Sequence, residues 1–200
     1  MTRPAKRNGK LFIISAPSGC GKTTLCRKLL SDKLNLKHSV SVTTRPPRRG
    51  ERSGKDYFFV TPEKFIAMID NGDFLEYEEN FGFLYGTPKK FVDDILKKGK
   101  NVLLSIDVKG AMNVRQLYPK DSTLIFIMPP SADALKKRLE TRMADPAPSI
   151  LNRLKLAKKE IAYKDKYDYI VVNDRLDTAY KKLKDIIISE GERYAGRTNR

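Results

Sequence analysis

The segment from residue 11 to residue 30 constrains the fold more than any other part of the chain. A short apolar run, Leu11–Ser15, leads into residues 16–24, which read APSGCGKTT, and a helical pattern follows to about Leu30. Strand, glycine-rich loop and helix in this order are typical of a phosphate-binding loop, in which backbone N–H groups and the positive end of the helix surround phosphate oxygens. We therefore expect the chain to bind a nucleoside triphosphate.

The loop matches the common P-loop pattern at every position except the first, where Ala16 stands in place of glycine. Lys22 is expected to reach the β and γ phosphates, and the hydroxyl of Thr23 is expected to ligate Mg²⁺. The residues of this loop that we predict to bind the nucleotide are Ser18, Gly19, Cys20, Gly21, Lys22, Thr23 and Thr24.

Three later apolar runs are each followed by a helical pattern: Asn101–Asp107, Ser122–Met128 and Tyr169–Val172. Continuous apolar runs that alternate with helices indicate strands buried on both faces, and hence an α/β fold with a parallel sheet. Asp107 is the first acid after its run, as a second Mg²⁺ ligand requires. An alternative is that Asp107 only caps the helix that follows it.

The chain between Lys37 and Pro88 does not fit this alternation and predicts a mostly β insertion. It contains short strand-like pieces and one helical stretch, at His38–Thr43, Tyr57–Val60, Phe74–Glu79, Phe83–Tyr85 and Pro62–Asn71. A second irregular segment, Arg142–Pro148, holds two prolines, which predict a mobile loop or turn between two helices.

Arginines flank this proline-rich segment. Arg138 and Arg142 are four residues apart and so share one helix face, and Arg153 follows beyond the prolines. Planar guanidinium groups match the oxygens of a transferring phosphoryl group. The alternative is ordinary salt bridging on a surface helix, for which Asp133 and Glu140 offer weak support.

The formal net charge of +16 admits two interpretations. It could attract nucleic acid or steer small phosphorylated ligands into a cleft. We find no RNA or DNA motif and expect no stable nucleic-acid partner.

No apolar run is long enough to span a bilayer, and no leader is recognisable. The only cysteines, Cys20 and Cys26, cannot build a disulfide framework or a zinc site. We expect a cytoplasmic protein without a membrane partner, as a monomer or homodimer.

Several motifs together resemble the guanylate kinase family, from about Lys10 to Glu190. The most specific is the block TTRPPRRGE at residues 43–51 with GKDYFF at 54–59. The others are GDFLEY at 72–77, YGT at 85–87, IDVKGA at 106–111, PPS at 129–131 and VND at 172–174. The resemblance implies transfer of the γ-phosphoryl group of ATP to GMP, and to dGMP, with Mg²⁺, which gives ADP and GDP.

The resemblance also implies a division of the chain and of its site. It implies a three-layer P-loop core (residues 10–36 and 89–200), a lid within it at about 138–155, a GMP-binding region at 37–88 and a basic tail at 1–9. The implied GMP ligands are Arg45, Arg48, Tyr57 and Tyr85 for the phosphate, and Ser41, Glu76 and Thr87 for the guanine. Asn173 is implied to lie near the adenine of ATP. The implied catalytic residues are Lys22, Arg45, Arg138, Arg142 and Arg153, and the metal ligands are Thr23 and Asp107.

Glu76 suits guanine chemically, because one carboxylate can accept from both N1–H and the 2-amino group. Adenine lacks both donors and would leave the carboxylate unpaired. The alternative is an exposed acid within the acidic run Glu76–Glu79. For Tyr57 and Tyr85 the alternative is ordinary packing.

The chain departs from the family in two places. Ser105 stands where the family usually carries an acid, and the proline-rich lid lacks its usual acidic residues. Two other functions remain open: a kinase of the same fold with another phosphorylated acceptor, and a non-catalytic interaction domain. The second is disfavoured because such domains typically lose the working P-loop, whereas Gly21, Lys22 and Thr23 are present.

Overall fold

A computed structural model describes residues 9–32, 34–141 and 150–197. Arg142 and the proline-rich segment to Pro148 lie outside the described residues, as do residues 1–8 of the predicted basic tail. The described strands are β1 (Leu11–Ser15), β2 (Leu36–His38), β3 (Val42–Thr43), β4 (Phe58–Phe59), β5 (Phe74–Asn80), β6 (Phe83–Pro88), β7 (Asn101–Ser105), β8 (Ser122–Met128) and β9 (Tyr169–Val172). The described helices are α1 (Lys22–Ser31), α2 (Pro62–Asp70), α3 (Lys89–Lys97), α4 (Val108–Leu117), α5 (Ala132–Glu140), α6 (Ile150–Ile161) and α7 (Leu176–Arg197).

The core sheet contains five parallel strands in the order β2-β7-β1-β8-β9. Strands β1 and β8 lie inside it, and every residue of β1 is buried, which explains its uninterrupted apolar sequence. Neighbouring residues of β7 contribute to opposite faces: Leu103 packs with α1 and α7, whereas Val102 and Leu104 pack with α3 and α4. The predicted parallel α/β core with helices on both faces is confirmed.

The insertion forms a second sheet of four strands in the order β4-β3-β6-β5. Its β5–β6 hairpin turns at Phe81 and Gly82, whose φ angles of 52° and 78° fit the type I′ turn that joins twisted antiparallel strands. The ring of Phe65 on α2 stacks on Phe74 of β5 at 4.5 Å between centroids. The predicted mostly β character of the insertion is therefore confirmed.

The single strand predicted over His38–Thr43 is wrong. Leu36–His38 forms β2 and pairs with β7 in the core sheet, whereas Val42–Thr43 forms β3 in the second sheet. The N–H of Ser39 still bonds to the carbonyl of Leu103, after which the chain crosses from one sheet to the other. An apolar pattern shows that residues are extended, but not which sheet they join. The division of the chain into regions stays a prediction.

Within the described part of the chain, no helix is long and apolar enough to cross a membrane. Cys20 and Cys26 are both buried and both free, so they form no disulfide. Ser131 caps α5, because its Oγ accepts the N–H of Ala134 at 3.1 Å.

A buried ion pair joins the C-terminal helix α7 to the residue that precedes β1, although the two are far apart in sequence. The Nζ of Lys10 lies 2.5 Å from Oε2 of Glu190, and both side chains are at least nine-tenths buried. Tyr169 and Arg193 donate to the other carboxylate oxygen, Oε1, both at 2.9 Å.

We expect Glu190→Ala to lower the free energy of unfolding by about 3 kcal/mol, because it leaves the Lys10 ammonium buried without its partner. Urea unfolding measures this effect. Glu192→Ala is the matched control, since Glu192 is exposed on the same helix. An equal loss in the two variants would mean that the pair contributes nothing beyond an ordinary surface residue.

Candidate functional site

The phosphate loop requires glycine at two positions for steric reasons. Gly19 and Gly21 have φ angles of 87° and 84°, in the left-handed region. A Cβ atom on Gly21 would lie 2.5 Å from Nδ2 of Asn173. Phe81 is the only described non-glycine residue with a positive φ, so Ala16 occupies the first loop position without backbone strain.

Asn173 holds the phosphate loop in place by a hydrogen bond to the loop backbone. Its side chain is buried, its Nδ2 donates to the carbonyl of Cys20 at 2.8 Å, and its backbone N–H donates to Met128 at 2.8 Å. The side chain of Arg138 donates to the carbonyl of Asn173 at 2.9 Å. The structure thus places Asn173 in contact with the loop backbone, and its nearness to adenine stays a prediction.

Lys22 begins α1 and extends its ammonium group to the edge of the core sheet, where Nζ donates to the carbonyl of Ile106 at 2.9 Å. Burial lowers the pKa of Lys22, while the neighbouring thiol of Cys26 and carboxyl of Asp107 act in the opposite direction. Thr23 and Thr24 follow in the first turn of α1 and are exposed. A triphosphate bound at the helix N-terminus would meet all three side chains.

Asp107 caps α4, as one of the two interpretations of the sequence predicted. Its Oδ1 accepts the N–H of Gly110 at 2.9 Å, and its Oδ2 accepts from Nδ2 of Asn80 at 2.6 Å. Each oxygen keeps a further lone pair, so capping does not prevent metal binding. The metal role of Asp107 stays a prediction.

The donor set around the phosphate loop fits Mg²⁺ better than a metal held by protein alone. No group of three or more His, Cys, Asp or Glu side chains within the described ranges could hold an ion. Mg²⁺ prefers oxygen ligands and usually takes only one or two from protein, with the rest supplied by water and substrate phosphates. The Thr23 hydroxyl and the Asp107 carboxylate are oxygen donors of this kind.

Glu76 is buried in the second sheet, so it is not the exposed acid that the acidic run could have indicated. The hydroxyl of Thr87, its cross-strand partner, donates to Oε1 at 2.5 Å. A Cβ on Gly110 would lie 2.5 Å from the other oxygen, Oε2, so α4 packs directly against the carboxylate. Burial raises the pKa of Glu76 to about 7, although the Thr87 bond acts in the opposite direction.

Arg45 is buried beside an aromatic pair, Tyr57 and Tyr85, that lines the cleft. Its Nη2 lies 2.9 Å from both carboxylate oxygens of Glu51, and its Nη1 donates to Pro46 at 2.8 Å. Its guanidinium group lies 5.4 Å from the ring centre of Tyr57, which packs edge-on against Tyr85 at 5.9 Å. Packing and phosphate binding are therefore compatible for these tyrosines, because their rings pack while both side chains line the cleft.

A single cleft of about 450 Å³ joins the phosphate loop to the second sheet. The predicted site residues that line it are Ser18, Gly19, Cys20, Gly21, Lys22, Thr23, Thr24, Ser41, Arg48, Tyr57, Glu76, Tyr85, Asp107 and Arg138. Four predicted residues are not in its lining: Arg45, Thr87, Asn173 and Arg153. The first three contact residues that line it, and Arg153 is half-buried on α6. Arg142 lies outside the described residues.

The structure adds lining residues that the sequence prediction missed. Glu78 and Asn80 follow Glu76 at period two on β5, and the three share one face of the strand. This alternation could have revealed Glu78 and Asn80 once Glu76 was placed in the site. Glu160 on α6 also lines the cleft, but no local pattern marks it, since its position depends on how α6 packs near the loop.

Comparison with known proteins agrees with this geometry. The family model described as "Guanylate kinase" matches residues 8–190. A guanylate kinase of Wolbachia pipientis is 46% identical, with 92% of each chain covered, and one of Novosphingobium aromaticivorans is 46% identical over 96% of this chain and 87% of its own. The crystal structure of guanylate kinase from Anaplasma phagocytophilum superposes with a TM-score of 0.79 at 36% identity, covering 94% of this chain and 89% of that one. The chain belongs to the guanylate kinase family.

Proposed function

We propose that this protein transfers the γ-phosphoryl group of ATP to the phosphate of GMP. The observation that carries the proposal is the position of the buried Glu76–Thr87 pair in the same cleft as Lys22 and the phosphate loop. The loop can bind the phosphates of a triphosphate, and the Glu76 carboxylate can bind a nucleobase that has two adjacent N–H donors. The family to which the chain belongs supports the same assignment.

The donor side supplies positioning and positive charge. ATP would bind with its phosphates at the N-terminus of α1, where the N–H groups of the loop and the ammonium of Lys22 meet them. Arg138 reaches the same cleft from α5. In the transfer, a GMP phosphate oxygen forms the new bond to Pγ, the bond from Pγ to the bridging oxygen of ADP breaks, and ADP leaves. Lys22 and Arg138 offset the charge on the transferring group.

The acceptor side must hold an anion close to another anion. Arg48 lines the cleft with Tyr57 and Tyr85, and we assign the GMP phosphate to this wall, with Arg45 behind it. The acceptor oxygen is already anionic, so the reaction needs no strong general base. Catalysis then consists of orientation and charge neutralisation.

Further parts of the proposal are Mg²⁺ as the cofactor, held by Thr23 and Asp107, and Arg142 and Arg153 as additional lid arginines. Mg²⁺ would supply charge neutralisation on the phosphates when bound. We also propose dGMP as a second acceptor, a cytoplasmic location, and a monomeric or homodimeric state. Sedimentation at several protein concentrations distinguishes a monomer from a homodimer.

A coupled assay of ADP release tests the function. We expect turnover with Mg-ATP and GMP, slower or equal turnover with dGMP, and none above background with AMP or ribose phosphates. Equal rates on AMP and GMP would refute the guanine assignment.

Gly110→Ala tests whether the Glu76 pocket binds the acceptor. The new methyl group would press on Oε2 of Glu76 and displace it, so we expect the KM for GMP to rise about tenfold while the KM for ATP changes less than about twofold. Gly191→Ala is a control in another helix, where a Cβ would meet Nδ2 of Asn101 at 3.3 Å. If Gly110→Ala raised the KM for GMP and the KM for ATP equally, the substitution would be perturbing the whole fold rather than the Glu76 pocket.

A further inference from the structure

A hydrogen bond inside the cleft joins the second sheet to the carboxylate that we assign to Mg²⁺. Nδ2 of Asn80, the last residue of β5, donates to Oδ2 of Asp107 at 2.6 Å, and both residues line the cleft. An ionised carboxylate only accepts hydrogen bonds, so the amide must present its NH2 group to Asp107. Hydrogen bonds to an ionised group are about twice as strong as neutral ones, so this contact holds Oδ2 in place.

Two hydrogen bonds together fix the orientation of the Asp107 carboxylate. Its Oδ1 accepts the N–H of Gly110 in the first turn of α4, while its Oδ2 accepts from Asn80. The χ2 torsion of an aspartate is broad, so a cap on one oxygen leaves the other oxygen free to move. Asn80 therefore determines where Oδ2 and its remaining lone pair lie.

Asn80 is held in position by the hairpin that carries it. It pairs with Phe83 across the β5–β6 hairpin, directly before the turn. The same face of β5 carries Glu76, which lines the cleft and is assigned to guanine. A side chain on a strand keeps its position better than one on a loop. The strand that forms part of the acceptor pocket thus also supplies the hydrogen bond to Asp107.

A second hydrogen bond joins β5 to α4 without involving Asp107. Nδ2 of Asn113 on α4 donates to Oε1 of Glu78 on β5 at 3.2 Å. Both bonds attach the second sheet to the core, but only the bond from Asn80 ends on a proposed metal ligand. The two asparagines therefore separate orientation of Asp107 from simple attachment of the sheet.

We propose that Asn80 is a positioning residue for Asp107, and through it for the Mg²⁺ that accompanies ATP. Its hydrogen bond sets Oδ2 and leaves the remaining lone pair of that oxygen for the metal. Residues that orient a metal-binding side chain typically contribute about 10- to 100-fold to metal affinity. This inference rests on the proposed function, because it concerns the donor half of the same site. Asn80 acts through Asp107 and does not touch the reacting atoms.

Two variants test this role. Asn80→Leu nearly keeps the shape of the side chain but cannot donate, and Asn80→Ala also removes bulk, so it applies even where leucine does not fit. We expect both to raise the dissociation constant of Mn²⁺ for the enzyme–ADP complex about tenfold, measured from the electron paramagnetic resonance signal of free Mn²⁺. Mn²⁺ is the probe because it prefers the same oxygen ligands as Mg²⁺. The Mg²⁺ concentration for half-maximal GMP phosphorylation should rise by a similar factor, while the KM for GMP should change less than about twofold.

Asn113→Ala is the matched control, because it breaks the other hydrogen bond between β5 and α4. Its metal constants and its KM for GMP should stay within about twofold of wild type, and urea unfolding checks that every variant is folded. The proposal is overturned if both Asn80 variants bind Mn²⁺ as tightly as wild type or if Asn113→Ala weakens Mn²⁺ binding equally. It is also overturned if the KM for GMP rises as much as the Mn²⁺ constant, since that result would mean loss of the acceptor pocket.

The same measurements separate this inference from the kinase assignment. If the Asn80 variants weaken Mn²⁺ binding to the ADP complex but the wild type does not phosphorylate GMP, the activity alone is disproved. If the wild type phosphorylates GMP but both Asn80 variants keep the wild-type Mn²⁺ constant, the positioning role alone is disproved.

Discussion

Replacing Lys22 with alanine is expected to lower kcat for GMP phosphorylation by about 10³-fold. The ammonium of Lys22 is fixed at the N-terminus of α1 by its bond to Ile106, where the helix dipole and the loop N–H groups already favour anions. Its charge is worth more there than at the surface, because the ammonium is largely buried. Transfer moves charge onto the oxygens around Pγ, so removing a fixed cation should raise the barrier more than it weakens binding. We therefore expect a smaller change in the KM for ATP.

The fold should survive this substitution. Burial disfavours the charged form of Lys22, so alanine removes an unfavourable desolvation as well as one hydrogen bond, and alanine is a good helix former. We expect the free energy of unfolding to change by about 1 kcal/mol or less. Lys181→Ala on the exposed face of α7 is the control for lost positive charge. Full activity of Lys22→Ala in the ADP-release assay would remove Lys22 from the mechanism.

The core and the donor loop could be predicted from the sequence because their signals are local. Continuous apolar runs required strands buried on both faces, and Gly19 and Gly21 stand where the loop needs left-handed φ angles. The insertion was predictable in type but not in detail. The residues between Leu36 and Thr43 divide between two sheets, a choice made by distant strands β6 and β7 rather than by the segment itself.

Roles that depend on contacts between distant parts of the chain were harder to predict from the sequence. Asp107 was predicted as a metal ligand or a helix cap, and only the structure shows that it caps α4 while accepting from Asn80 on the other sheet. The two-oxygen pairing of Arg45 with Glu51 was also unforeseen, although the residues are only six apart. Glu160 was missed for the same reason: it lines the cleft beside the phosphate loop, which is far from it in sequence.

Glu76→Gln is expected to lower kcat/KM for GMP by about 10²-fold or more, with little change in the KM for ATP. A carboxylate can accept from the guanine N1–H and from the 2-amino group at once. The amide of glutamine has only one acceptor oxygen, so it can accept from only one of these two guanine groups. Its NH2 group would face the other guanine N–H, and two donors cannot form a hydrogen bond. Thr87 can still donate to the remaining oxygen, so the strand pairing around residue 76 should be preserved.

The same variant makes a pH prediction. Burial raises the pKa of Glu76 to about 7, so in the free enzyme the carboxyl is largely protonated below that pH and can no longer accept from both guanine donors. The kcat/KM for GMP should therefore rise with pH through about 7. All other groups are the same in wild type and Glu76→Gln, so the wild-type to variant ratio of kcat/KM isolates the effect of Glu76. That ratio should be smallest near pH 6 and grow toward pH 8. A ratio that stays constant between those values would show that Glu76 does not bind guanine as a carboxylate.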